Sequence, residues 1–97
     1  RRYTNPGMHQ PGKELVQGME VVITPDITVD PDEIIAAAMD AGLAYSEQLT
    51  RETSLVVCNQ EGELRGKAMH AHRKGIPLVS DTEFMQLTQN VRAGTAE

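Results

Sequence analysis

Four carboxylates crowd one short stretch, Asp26, Asp30, Asp32 and Glu33, two histidines stand two apart at His70 and His72, and one thiol sits at Cys58. Each could do chemistry in the right company. Asp30-Pro31-Asp32-Glu33 offers a capping side chain, Pro at the first helical position and acids in the first turn. A helix start, whose dipole attracts negative charge, accounts for the whole cluster without a metal ion. On a helix His70 and His72 point about 200° apart, so one ion cannot take both. His72 shares a stripe with Ala68 and is expected to be partly buried, with His70 exposed. Cys58 ends the apolar run Leu55-Val56-Val57-Cys58, where a buried, unreactive thiol is expected. Being alone, it forms no internal disulfide, which fits a reducing compartment. The chain has no glycine-rich phosphate loop, no Walker pattern, no Cys–His pair with an orienting partner and no zinc spacing. The expectation is a non-enzyme with no cofactor and no metal.

Charge is unevenly spread. From Glu20 to Glu63 the chain holds ten acidic residues against Arg51, whereas Arg65 to Lys74 holds Arg65, Lys67, Arg73 and Lys74 with no acid. A formal charge of -5 opposes nonspecific attachment to nucleic acid phosphates. Direct DNA contact would rest on those four basic residues, helped by Arg1, Arg2 and Lys13. The plainer reading is a solvated helix face. Tyr3, Tyr45 and Phe84 are the full aromatic set, too few for the stacking platform of many single-strand binders.

The elements that would position these groups fit one domain, because 97 residues with 39% apolar content bury one core. Residues 1–13, with two Pro, two Gly and no apolar periodicity, read as a flexible linker. The domain is expected over 14–92 and a short tail over 93–97. A first residue other than Met suggests an excised cytosolic fragment. No apolar run approaches the roughly 20 residues of a membrane span, so no membrane partner is expected.

Met19–Thr24 is a buried-strand pattern, and Pro31 to Gly42 a helix with Ile34, Ile35, Ala38, Met39 and Leu43 on one stripe. Leu43–Leu49 is a weak strand and Ser54–Cys58 a strong one. Gly66–Lys74 makes a second helix and Ile76–Val79 another strand. Ser80-Asp81-Thr82-Glu83 repeats the capping pattern before a third helix running through Phe84 to Val91. This alternation implies a parallel sheet with helices on both faces.

That order, with Thr53-Ser54-Leu55-Val56-Val57, Gly66-Lys67-Ala68, Ala71 and Lys74-Gly75-Ile76-Pro77-Leu78-Val79-Ser80, closely resembles the BRCT family. Gly42 resembles the glycine that ends the family's first helix, and Phe84 stands where the family usually has Trp. The resemblance implies a four-stranded parallel sheet of order 2-1-3-4, with helices one and three on one face and helix two on the other. It implies no catalysis. It also implies a phosphate pocket built from a hydroxyl and a free N–H after the first strand and a Lys opening the second helix. Thr24 and Lys67 match two of those positions. Pro25 replaces the family's Gly and supplies no N–H, and Arg65 stands where Ser or Thr is common.

The resulting expectation is a non-catalytic protein-interaction module of a DNA replication or repair protein, docking other proteins of that machinery. The parent is expected to be a DNA polymerase III epsilon-like exonuclease, with an NAD-dependent DNA ligase or a replication factor C large subunit as alternatives. The alternative function is binding of DNA ends or a phosphorylated ligand through Thr24 and Lys67. The expected location is cytoplasmic, with the nucleoid if the parent replicates bacterial DNA.

Overall fold

β-Branched residues dominate the two central strands, Val21-Val22-Ile23 and Val56-Val57, and side chains that fill both faces of a sheet belong to buried parallel strands. The computed structural model describes residues 2–97; Arg1 of the basic tail lies outside the described residues. Strands β1 (Glu20–Ile23), β2 (Ala44–Tyr45), β3 (Thr53–Val57) and β4 (Leu78–Val79) form one sheet of order β2-β1-β3-β4. All pairings are parallel. Helices α1 (Pro31–Asp40), α2 (Gly66–Arg73) and α3 (Asp81–Leu87) alternate with the strands, and α3 runs into a 3-10 turn at Thr88–Asn90.

Alternation along the strands sorts the core into two layers. Val21, Leu55 and Val57 join Ile34 and Ala38 of α1 and Phe84 of α3 in one cluster. Val22, Val56 and Cys58 join Ala68 and Ala71 of α2 and Ile76 in the other. Helices one and three thus share a face opposite helix two, and Phe84, fully buried, packs in the cluster that unites α1 and α3.

The helix ends follow their sequence signals. The Asp30 carboxylate accepts from the Asp32 N–H at 2.9 Å, and the Ser80 hydroxyl oxygen accepts from the Glu83 N–H at 3.3 Å. Gly42 leaves α1 at φ +89°, a left-handed conformation natural to glycine, and a Cβ there would meet the Gln17 amide nitrogen at 2.8 Å. Several limits differ from expectation. The second strand is two residues rather than seven, and β4 begins at Leu78 rather than Ile76. Met39, expected on the apolar stripe, is 64% exposed, because the buried line runs from Ile34 to Ala38 and Met39 turns away from it. His72 is exposed as well. Ala71 and Ile76, the latter beyond the helix end, cover that face instead.

Of residues 1–13, read as a linker from composition, Asn5 and His9 are bonded to the domain, and Tyr3 pairs with the other end of the chain. Between Glu20 and Val21 the β1–β3 register slips by one residue, so Ser54 has no strand partner. The Ser54 hydroxyl accepts from the Glu20 N–H at 3.1 Å and donates to the Asn5 side-chain oxygen at 3.2 Å. The Ser54 carbonyl accepts from the His9 N–H at 3.0 Å, and the His9 side chain is buried there. The chain ends pair as well: Thr4 N–H donates to Thr95 and Glu97 N–H to Arg2, flanking an antiparallel bridge between Tyr3 and Ala96. A bulge supplies polar groups that a regular ladder would have consumed, and the first residues use them.

Candidate functional site

Ligands of open parallel sheets bind beyond the carboxyl ends of the strands, where loops converge. Here that edge carries the loops after β1, β3 and β4. Thr24, buried just past β1, donates its N–H to the Val57 carbonyl at 3.0 Å. Its hydroxyl donates to Asp26 Oδ1 and lies 3.3 Å from the same Val57 carbonyl. Asp26 Oδ2 accepts from the Asn59 N–H at 3.1 Å. Asn59 turns its side-chain oxygen the other way, accepting from the Asp81 N–H at 3.0 Å.

Asp81 is a second internal carboxylate. Its Oδ2 accepts from Val29 N–H at 2.8 Å, Thr28 N–H at 2.7 Å and Thr28 Oγ1 at 2.9 Å. The Val29 N–H, with the Thr28 donors, holds its carboxyl well below the usual carboxylate range, against the upward push of its burial. Asp26, Asn59 and Asp81 thereby lace three loops together.

The residues singled out by sequence do not converge. Lys67, in the first turn of α2, is half-buried and donates from Nζ to the Glu47 carbonyl at 2.6 Å, which carries its ammonium to the loop between β2 and β3. Thr24 faces Asp26. Pro25 is exposed and brings no N–H. Arg65 is the N-cap of α2 without a side-chain cap bond, and its own N–H donates to Gln60 Oε1 at 2.9 Å. Arg73 and Lys74 sit exposed at the other end of α2, about 12 Å away along an eight-residue helix, where cations suit the dipole. The four basic residues are therefore split between the two ends of the helix. A cleft of about 350 Å³ beside Asp26 and Asn59 is lined by Glu61, Glu63 and Arg65 as well. Its carboxylates outnumber its cation.

Sequence reasoning placed Asp26 in a helix-start cluster and Asp81 in a capping first turn. Asp30, Asp32 and Glu33 do serve the start of α1, but Asp26 lies outside the helix and holds Thr24 and Asn59 instead. The spacing Thr24-Pro25-Asp26 carried a faint signal, since a carboxylate two residues on can bond a nearby hydroxyl. Asp81 carried none, because its partners are 52 and 53 residues away. Burial pushes the Cys58 thiol up from its ordinary value, which disfavours the thiolate. Among the described residues no cluster of three or more potential ligands could hold a metal ion, and no helix is long and apolar enough to cross a membrane.

The family model of the BRCA1 C Terminus (BRCT) domain matches residues 11–87. Comparison with curated proteins and with solved structures returned no match. A family match over well over half of the chain agrees with the sheet order β2-β1-β3-β4 and with helices α1 and α3 opposite α2, and the chain belongs to the BRCT family.

Proposed function

We propose that this module docks proteins of the DNA replication or repair machinery through its folded surface, without using a phosphate group as the anchor. BRCT domains generally are protein-protein or phosphoprotein interaction modules of DNA repair and replication, and typically non-catalytic. The observation that carries the finer reading is the pairing at the strand ends. The Thr24 hydroxyl serves Asp26 and the Lys67 ammonium serves the Glu47 carbonyl, so the two groups do not converge on a shared ligand. A tight oxyanion site needs donors and positive charge aimed at one point. The acidic α1, with Asp32 and Glu33 in its first turn and no base in its last, adds repulsion toward DNA. General similarity of composition favours a DNA polymerase III epsilon-like exonuclease as the parent, working in the cytoplasm.

Titration of labelled DNA duplexes with and without a 5′-phosphate, at two salt concentrations, tests the reading. Equal and negligible binding of both duplexes is expected. Phosphate-dependent binding that weakens with salt and disappears in Lys67→Glu would overturn it in favour of DNA-end recognition through Thr24 and Lys67.

A further inference from the structure

At the carboxyl ends of β1 and β3, two donors close on one anion supplied by the chain itself. The Thr24 hydroxyl holds one oxygen of Asp26 and the Asn59 N–H holds the other. Thr24 is 2% exposed, so its hydroxyl is shielded from competing water, and an unmet donor there is costly. Asp26 rides on the loop between β1 and α1, and Pro25 before it removes the N–H that this turn could otherwise offer. We propose that Asp26 is a built-in occupant of an oxyanion seat formed by Thr24 and Asn59, and is the residue that sets this module's specificity against phosphate-bearing partners. The proposal rests on the docking function proposed above and deepens it.

Two effects keep the seat closed to outside anions. A tethered carboxylate competes intramolecularly, at a far higher effective concentration than a free ligand reaches. An arriving phosphate would also meet Glu61 and Glu63, which line the adjoining cleft with Asp26, and like charges repel at this range. Without the Asp26 carboxylate, the Asn59 N–H loses its acceptor and the Thr24 hydroxyl keeps only the longer contact to the Val57 carbonyl. Arg65, already on the wall of the cleft, then faces two carboxylates instead of three, and the repulsion an incoming anion meets falls.

The test is an NMR titration of the ¹⁵N-labelled protein with inorganic phosphate at constant ionic strength, following the Asn59 amide. The unaltered chain is expected to give no saturable shift at Asn59 into the tens of millimolar. Asp26→Ala is expected to bind at least about tenfold more tightly, the worth of one charge-assisted hydrogen bond. Adding Thr24→Val is expected to remove that gain. A saturable Asn59 shift in the unaltered chain overturns both this proposal and the phosphate-free docking function. A folded Asp26→Ala chain that stays silent overturns this proposal alone. If Asp26→Ala does not fold, the unaltered chain decides: a slowly exchanging Asn59 amide coupled across its hydrogen bond to the Asp26 carboxyl carbon supports the seat, and a freely exchanging one overturns it.

Discussion

Asp81 is buried beneath the loop that leads into α1, yet it holds its proton less tightly than an ordinary carboxyl, because donors from Thr28 and Val29 favour the ionised form. The sign of its contribution to stability follows directly. A depressed value in the folded state means that the unfolded chain takes up the proton first. The stability Asp81 contributes is therefore present above its unfolded value, about 4, and is lost as acid carries the pH down toward the folded value. Asp81→Asn should lower the melting temperature at pH 7 by several degrees and flatten the loss of stability below pH 4. Thermal melts of both chains from pH 7 to pH 2.5 check this, and parallel curves would rule out the assigned role. Asn59 ties the two loops at this end of the sheet together, its N–H donating to the Asp26 carboxylate and its side-chain oxygen accepting from the Asp81 backbone N–H.

Short helices live on caps and packing rather than on propensity. α3 has only seven residues and holds its place through the Ser80 cap and the buried Phe84 ring. α2 is less well finished, because Arg65 occupies its cap position without a side-chain bond. A hydroxyl there would satisfy one of the unpaired N–H groups of the first turn. Arg65→Ser is expected to stabilise the domain by about 1 kcal/mol, read as a higher urea midpoint at unchanged slope. An unchanged or lower midpoint would mean that the bond from the Arg65 N–H to Gln60 already fixes this corner. At this scale the sequence was a good guide. Asp30-Pro31-Asp32-Glu33 and Ser80-Asp81-Thr82-Glu83 mark helix starts where helices start, whereas strand limits at Leu43–Leu49 were drawn too wide because exposed edge residues show little alternation.

Across the whole molecule, the ends of the chain are part of the domain's architecture. The family match begins at residue 11, but Asn5 and His9 bond the Ser54 bulge and the two chain ends pair with each other. Deleting residues 1–10 should cost about 1–3 kcal/mol, a few net hydrogen bonds, and should speed amide exchange around Ser54. Chemical denaturation and hydrogen exchange measure both, and identical stability would show that the segment contributes nothing to the fold.

What the sequence determined by itself was the order of elements, the two apolar faces and the helix caps, since each depends on residues within a few positions of one another. The BRCT likeness came from the same local patterns, notably Gly66-Lys67-Ala68 and Lys74-Gly75-Ile76-Pro77. Only the tertiary structure decided what the polar residues do. Asp26 meets Asn59 across 33 positions, Asp81 meets Thr28 across 53 and Asn5 meets Ser54 across 49. Partners so far apart leave no periodicity to read, because folding, and not spacing, brings them together.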